Sequence, residues 1–394
     1  MTSFNRREFL YSSALLAGLP LQRPAKYDLL IKGGRVIDPD QKLDRVMDVA
    51  VKDGKIAAVR ANIPAAEAGE VIDAVGRLVT PGLVDIHAHP RPGELSPERV
   101  LSAGVTTVVD GGSRGSNGIQ DMIDVANKAP NRVRVMINVS KLGNITTGPG
   151  EMTDFSNGDV EAARAAIRKH RDIVVGVKAR LGLQQVGERD LDSVRRAHEI
   201  TRPFGIPVMT HIGETFSPLQ AILAIMRPGD IVTHMYAPPP HGILDGNGRL
   251  FPEVLAARRR GVLFDIGNGR NGHITWDVAE RAMQQGFLPD TISSDLNGAG
   301  LTDQVFDFPN VLSKFLMLGM SLDKVIACGT VSAAKAVPGL KGLGTLKTGA
   351  LADISILELA SGDFEFVDNV NVKRTGRQKL IARGVVVKGK KWSS

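Results

Sequence analysis

Two histidines at the end of one predicted strand give the clearest chemical signal in this chain. Residues 81–90 read P-G-L-V-D-I-H-A-H-P, so an apolar run of strand length ends in His87 and His89. Side chains two residues apart on a strand project to the same face. Two neighbouring imidazoles suit a divalent cation better than they suit an apolar core. The spacing therefore predicts a metal site. The alternative is one histidine in a turn and a second placed there by chance.

Further candidate ligands stand at the ends of later apolar runs. They are Lys178 in V-V-G-V-K-A-R-L, His211 in V-M-T-H-I-G, His234 in I-V-T-H-M and Asp295 in I-S-S-D-L. The other histidines fall in predicted helices or loops and are expected to be ordinary surface residues: His170, His198, His241 and His273. Because Cys328 is the single cysteine, sites built from several cysteines are excluded.

Lys178 interrupts an apolar strand, where lysine is rarely buried without a partner. Burial disfavours the charged ammonium group and so lowers the pKa of the amine. A neutral amine can add carbon dioxide and become a carbamate, an anionic ligand whose two oxygens can bridge two metal ions. The alternative is a lysine at the mouth of the fold with its ammonium group in solvent.

Alternating strands and helices must position these side chains. Apolar runs of strand length occur at 83–89, 105–110, 133–139, 174–181, 207–212, 231–236, 262–266 and 291–296, with helix-like stretches at 160–169, 191–201, 251–260 and 277–285. This alternation indicates parallel strands covered on both faces. Eight such strands predict an α/β fold, a closed (β/α)8 TIM barrel with its active site at the C-terminal ends of the strands. A doubly wound open sheet is the alternative, but its glycine-rich phosphate motif is missing after the first strand.

Both ends of the chain are also rich in predicted strands. Near the N-terminus, D-V-A-V-K-D-G-K-I-A-A-V contains Asp53-Gly54, a strong hairpin signal. Near the C-terminus, strands are expected at 352–357 and 379–387. We therefore predict a small β-sandwich formed from both termini. The expected organisation is a signal region at 1–25, sandwich segments at 26–79 and 339–394, and the barrel at 80–338.

Composition and the N-terminal segment limit the partners and the location. The formal net charge is +7, but the basic residues are scattered and aromatic residues make up only 5%, so no nucleic-acid partner is expected. Arg6 and Arg7, followed by Phe-Leu and a short apolar stretch, resemble a twin-arginine export signal and predict a periplasmic location. That stretch is too short to span a bilayer, so no stable membrane insertion is expected. The formation of a homo-oligomer stays open.

The order His-x-His, Lys, His, His, Asp inside a split β-sandwich resembles the amidohydrolase superfamily, in its dihydroorotase- and hydantoinase-like branch. P-G-L-V-D-I-H-A-H and G-A-L-A-D-I-S-I-L are typical of that superfamily. Several shorter motifs, G-V-K-A-R, T-H-I-G-E, H-G-I-L and D-T-I-S-S-D-L, resemble the amidohydrolase/deacetylase subgroup. The resemblance implies a metal-dependent hydrolase that removes an acyl group from the nitrogen of a small N-acyl substrate. An esterase on O-acyl hydroxy acids and a cyclic amidase are the alternatives, and a non-catalytic binding protein would require a missing ligand.

The resemblance also implies roles for individual residues. His87, His89 and Asp295 would hold one divalent ion, His211 and His234 a second, and carboxylated Lys178 (N6-carboxylysine) would bridge them. The ligands favour zinc, with manganese, iron, cobalt and nickel as alternatives. Asp295 is the predicted catalytic proton carrier.

Four more residues are candidates at the rim of this predicted site. Arg180, two residues after Lys178, is a predicted anchor for a substrate carboxylate, or else pairs with a loop carboxylate. Asn268 and Asn297 stand where the subgroup often has histidine, and they are predicted to contact substrate. Asp85 would orient an imidazole, or else act as a hydrogen bonder within its strand.

Overall fold

The computed structural model describes residues 25–145, 148–302 and 304–393. The predicted export signal with Arg6 and Arg7 lies outside the described residues. The strands are β1 Tyr27–Asp38, β2 Leu43–Lys52, β3 Lys55–Arg60, β4 Ala68–Asp73, β5 Leu78–Pro81, β6 Leu83–Ala88, β7 Val105–Asp110, β8 Arg132–Asn138, β9 Val174–Ala179, β10 Val208–His211, β11 Ile231–Thr233, β12 Leu263–Phe264, β13 Ile354–Val367, β14 Lys373–Val387 and β15 Lys390–Lys391. The α-helices are α1 Pro97–Ser102, α2 Ile119–Lys128, α3 Val160–Lys169, α4 Leu183–Val186, α5 Asp190–Thr201, α6 Leu219–Ile225, α7 Pro252–Arg259, α8 Trp276–Gln284, α9 Phe308–Met317, α10 Leu322–Cys328 and α11 Val331–Ala336. Short 3-10 helices occur at Pro39–Gln41, Ala65–Glu67, Phe155–Asn157, Gly298–Thr302 and Pro338–Leu340.

The middle of the chain forms a barrel of parallel strands. The strands from β6 to β12 pair in chain order, each with the next, in one parallel sheet. Residues 291–296 close the ring through parallel bridges from Thr291 to Asp265 on one side and from Leu296 to Ala88 on the other. The predicted (β/α)8 barrel is therefore confirmed. Its eighth member is joined to its neighbours by these two isolated bridges rather than by a regular strand.

Apolar packing explains why strands and helices alternate here. The β-branched side chains of the strands, such as Val108, Val135 and Val177, are buried in one cluster with helix residues such as Val194 and Ile222. Strands covered on both faces need nearly continuous apolar sequence, which these strands have. The predicted metal ligands on these strands stand at or near their C-terminal ends, at one rim of the barrel.

The two ends of the chain combine in a second sheet, as predicted. Its order is β15-β14-β13-β5-β1-β2-β3, with β4 paired to β1. The turn between β2 and β3 has φ +49° at Asp53 and +73° at Gly54, which confirms the hairpin and its need for residues that tolerate this conformation. β13 and β14 are much longer than the sequence predicts, and they form a hairpin that packs β14 against α9 of the barrel. Among the described residues, no helix combines the length and the apolar character needed to cross a membrane.

Candidate metal centre

The six predicted ligands converge on one cavity at the C-terminal rim of the barrel. The cavity has a volume of about 760 Å³, and its lining includes His87, His89, Lys178, His211, His234 and Asp295. Neighbouring imidazole centroids lie 4.5–5.6 Å apart along the series His89, His87, His234, His211. Distant strands thus place five nitrogen donors and one carboxylate in a single cluster.

Two hydroxyl groups fix the orientation of the first two histidines. Nδ1 of His87 lies 3.0 Å from the Thr233 hydroxyl, which donates its own hydrogen to Asp265 at 2.8 Å. Nδ1 of His89 lies 2.8 Å from the Ser113 hydroxyl, which donates to Asp110 at 2.5 Å. A hydroxyl has a single hydrogen, so each one must accept from the imidazole N–H. Both histidines therefore carry their proton on Nδ1 and present the lone pair of Nε2 to the cavity.

His211 and His234 test whether the cluster fits a metal. His234 donates from Nδ1 to the carbonyl oxygen of Gly267 at 2.7 Å, which leaves its Nε2 as an acceptor. Nε2 of His211 is buried and has no hydrogen-bond partner among the described residues. Burial lowers the pKa of His87, His211 and His234 well below the ordinary range, so all three rings are neutral. Neutral, buried imidazoles with unused lone pairs are suited to bind a divalent metal ion.

Asp295 connects the two sides of the cluster. One carboxylate oxygen lies 3.0 Å from Nε2 of His89, and the other lies 3.2 Å from Nδ1 of His273. Burial raises the pKa of this carboxyl, but its interactions with the surrounding imidazoles, among them the hydrogen bond with His273, offset burial and hold the pKa well below its usual range. Asp295 is therefore an ionised carboxylate, able to bind a cation and to accept a proton. Donor atoms of His87, His234 and Asp295 lie within 4.8 Å of one another, and so do those of His211, His234 and His273.

Lys178 is buried, and its Nζ lies 2.8 Å from Nε2 of His87. Burial lowers the pKa of its amine to about 8, although the nearby Asp295 partly opposes the shift. The lysine is thus inside the cluster rather than at the mouth with its ammonium group in solvent.

The prediction that His273 is an ordinary surface residue is wrong. We expected a surface residue, but its ring stacks on His234 with centroids 3.8 Å apart and meets His211 edge-on at 5.2 Å. It follows β12 by a short loop, and a position just past the C-terminal end of a barrel strand was the available signal. His198 and His241 make contacts elsewhere, with Asp230 and Thr215 respectively.

The predicted substrate residues separate into two groups. Arg180 and Asn297 line the cavity. The Arg180 guanidinium also contacts Asn144 and lies 3.6 Å from the buried Glu151 carboxylate, so the loop-carboxylate alternative is realised in part. Asn268 is fully buried, accepts a hydrogen bond from Lys314 at 2.9 Å and does not line the cavity.

Asp85 does not contact an imidazole side chain. Its carboxylate accepts hydrogen bonds from the Ser294 hydroxyl, the Ser294 backbone N–H and the backbone N–H of His87. It therefore behaves as the hydrogen bonder within its strand, joining β6 to the closing segment of the barrel. Asp265 and Asp110, acting through hydroxyls, are the carboxylates that orient imidazoles, and neither was predicted from the sequence.

Comparisons with known proteins agree with this geometry. A family model described as the amidohydrolase family matches residues 78–391. The chain is 30% identical over 371 residues to a deacetylase of Enterococcus faecalis, which covers 90% of this chain and 96% of the relative. The crystal structure of an adenine deaminase is similar with a TM-score of 0.86 and 29% identity, over 93% of this chain and 100% of that one. The crystal structure of a dihydroorotase is similar with a TM-score of 0.83 and 25% identity, over 93% and 98% of the two chains.

Proposed function

This chain belongs to the amidohydrolase family, as a hydrolase acting on C–N bonds, and we propose that it is a binuclear deacylase of small, polar N-acyl carboxylates. The observation that carries this proposal is the buried cluster of neutral imidazoles around an ionised Asp295, with the Lys178 amine 2.8 Å from His87. Relatives named deacetylase support the type of reaction.

The donor set divides between two positions. His87, His89 and Asp295 would hold one ion, His211 and His234 the other, and Lys178 in its carbamate form would bridge them. When bound, two divalent cations, which we expect to be zinc, supply an activated water and polarise the scissile carbonyl. The lowered pKa of Lys178, about 8, supports the carbamate because carbon dioxide adds only to the neutral amine.

Asp295 would move the proton during the reaction. Its carboxylate takes a proton from the attacking water as the new C–O bond forms, and delivers it to the leaving nitrogen as the C–N bond breaks. Its low pKa keeps the carboxylate ionised and able to accept a proton, and its contacts with His89 and His273 hold it in the wall of the cavity.

The cavity wall points to a polar substrate. Among the described residues that line it there is no Val, Leu, Ile, Met, Phe, Tyr or Trp, whereas Arg180, Gln184 and Asn297 are present. A purine, the substrate type named for one structural neighbour, would find no aromatic side chain there except imidazoles. Arg180 is the proposed anchor for a carboxylate, because a guanidinium binds a carboxylate bidentately.

Substrate and metal analyses test the proposal together. The purified protein should contain close to two divalent ions and lose activity with a chelator. It should hydrolyse N-acetyl amino acids faster than O-acetyl hydroxy acids or cyclic amides; a reversed order would favour the esterase or cyclic amidase alternative. Full activity without bound metal would refute the proposal.

Lys178→Ala tests the bridging ligand. The variant should lose binuclear loading and activity, and a short carboxylic acid added with metal should restore part of the activity. Lys335→Ala is the matched control, since Lys335 is exposed and pairs with Asp40 away from the cavity. Normal metal content and turnover in Lys178→Ala would exclude the carbamate.

A further inference from the structure

The loop that carries His273 is held from outside the barrel. This histidine loop, residues 267–275, connects β12 to α8 and contains no regular secondary structure. The hairpin tip, residues 368–372, joins β13 to β14 in the terminal sheet and lies against this loop. We propose that the hairpin tip belongs to the active-site framework, and that Asn369 is a positioning residue that holds His273 against Asp295. The role of His273 in turnover rests on the proposed function, whereas the anchoring of the loop does not.

Asn369 bridges both sides of His273. Its side-chain oxygen accepts from the backbone N–H of Ile274 at 2.9 Å, and its amide nitrogen donates to the carbonyl oxygen of Gly269 at 3.1 Å. Its backbone N–H donates to the carbonyl oxygen of Ile274 at 3.1 Å. Three hydrogen bonds from one buried residue therefore fix the loop before and after the histidine.

Asp368 attaches the hairpin tip to the helix that follows the loop. Its carboxylate accepts from the backbone N–H of Trp276, the first residue of α8, at 3.0 Å. The same carboxylate accepts from the backbone N–H groups of Val370 and Val372, at 3.0 and 2.8 Å, and so shapes the tip itself. The Trp276 indole donates to the carbonyl oxygen of Val372 at 2.8 Å. The tip is thus a rigid element rather than a loose cover.

The histidine loop needs such an external support. Gly267, Gly269, Asn271 and Gly272 all have positive φ, between +46° and +91°, so the local sequence does not favour one compact conformation. The backbone at Gly269 approaches the site closely, because an added Cβ would collide with Nδ1 of His273 and with the Asp295 carboxylate. A small movement of this loop would therefore change the contact between His273 and Asp295.

His273 is the residue through which the anchoring of the loop would affect the active site. Its buried Nδ1 lies 3.2 Å from Oδ2 of Asp295, and its ring stacks on His234 while also lining the cavity. A metal ion lies close to the plane of each imidazole that binds it, and two rings stacked 3.8 Å apart do not share a plane, so they are poorly placed to bind one ion together. His273 is therefore better placed to orient the proton-carrying carboxylate and to touch the substrate than to share an ion with His234.

The experiment compares Asn369→Ala with Val370→Ala, a neighbouring change at a half-exposed position of the same tip. Hydrogen exchange of the peptide covering the histidine loop is measured on metal-free protein, and kcat, KM and metal content on the loaded enzyme. Asn369→Ala should speed exchange in the loop and lower kcat by about 10- to 100-fold with unchanged metal content, because a small misplacement of a reacting group has that effect. Val370→Ala should match the wild type. If Asn369→Ala does not fold, Asn369→Asp replaces it, since it keeps the shape but loses the donor to Gly269.

A double variant separates positioning from general damage. If Asn369 acts through His273, then Asn369→Ala should cost little further kcat in a His273→Ala background. An undiminished loss in that background, or unchanged loop exchange in Asn369→Ala, would overturn the inference. A wild-type protein that hydrolyses none of the substrates would refute the proposed function instead, and the exchange measurement would still decide whether Asn369 holds the loop.

Discussion

Replacing Thr233 with valine isolates the hydroxyl that fixes the proton on His87. The two side chains have nearly the same shape, so the change removes a hydrogen-bonding group without opening a cavity. It removes the 3.0 Å contact with Nδ1 of His87 and the 2.8 Å donation to Asp265. Asp265 keeps two hydroxyl donors, Thr291 at 2.7 Å and Ser293 at 2.6 Å. The imidazole N–H, in contrast, is left buried without this acceptor.

The size of the effect follows from that unpaired group. A buried donor without a partner costs about 1–3 kcal/mol. The ring can avoid this cost by moving its proton to Nε2, but that nitrogen then loses the lone pair it presents to the cavity. Either outcome weakens binding of the metal, and changes behind a metal-binding histidine typically lower affinity by about 10- to 100-fold. We expect a loss of this size for the Thr233→Val protein.

Competition between the metal-free protein and a chelator of known affinity measures this loss. Thr210→Val is the matched control, because the Thr210 hydroxyl is buried on the neighbouring strand β10 and has no hydrogen-bond partner among the described residues. That variant should bind metal as the wild type does. If Thr233→Val also binds metal with wild-type affinity, the hydroxyl does not fix the imidazole and the reasoning is wrong.

Three further predictions concern the bridge, the anchor and export. The pKa of about 8 for Lys178 leaves about one tenth of the amine neutral at pH 7, against about one in three thousand for an ordinary lysine with pKa 10.5. Reactivation of metal-free protein should therefore speed up with bicarbonate and as pH rises towards 8; a rate independent of bicarbonate would contradict the carbamate. Arg180→Met should raise KM for a carboxylate substrate far more than for its neutral amide, costing about 2–3 kcal/mol in kcat/KM, and equal losses would show a structural role. Replacing Arg6 and Arg7 with lysines should block the proposed twin-arginine export, checked by cell fractionation, and unchanged export would indicate another route.

The barrel and the six ligand candidates could be predicted because both depend on local patterns. Strands covered on two faces have continuous apolar sequence, and parallel strands of a barrel bring their C-terminal ends to one rim. Polar residues such as His211 and Asp295 at those ends therefore had to meet. Contacts between residues that are far apart in sequence could not be predicted from such local patterns. The hydroxyl between His87 and Asp265 comes from Thr233, and only the folded barrel shows that these three residues meet.

The length of the C-terminal hairpin, formed by β13 and β14, could not be predicted from the sequence either. The sequence predicts short strands at 352–357 and 379–387, whereas β13 continues to Val367 and β14 begins at Lys373. In the structure the pairing with β14 continues across an irregularity between Ser361 and Phe364. Backbone hydrogen bonds extend a hairpin without apolar side chains once its partner strand is in place. This extension brings Asn369 to the histidine loop, which precedes it by almost one hundred residues in sequence, so the contact between them had no local signal.

Strand periodicity does not predict the side-chain directions of two of the candidate ligands, for a physical reason. His234 and Asp295 both have positive φ, +67° and +47°, so each leaves the alternation of its strand at the residue that carries the donor atom. Such conformations cost about 1–3 kcal/mol and persist only where surrounding contacts enforce them. Here His234 is held by its 2.7 Å bond to Gly267, and the backbone N–H of Asp295 by a 2.5 Å bond to the carbonyl oxygen of His87. The position of a ligand along the chain is thus set by the end of a strand, whereas its direction is set by contacts across the barrel, which only the folded chain contains.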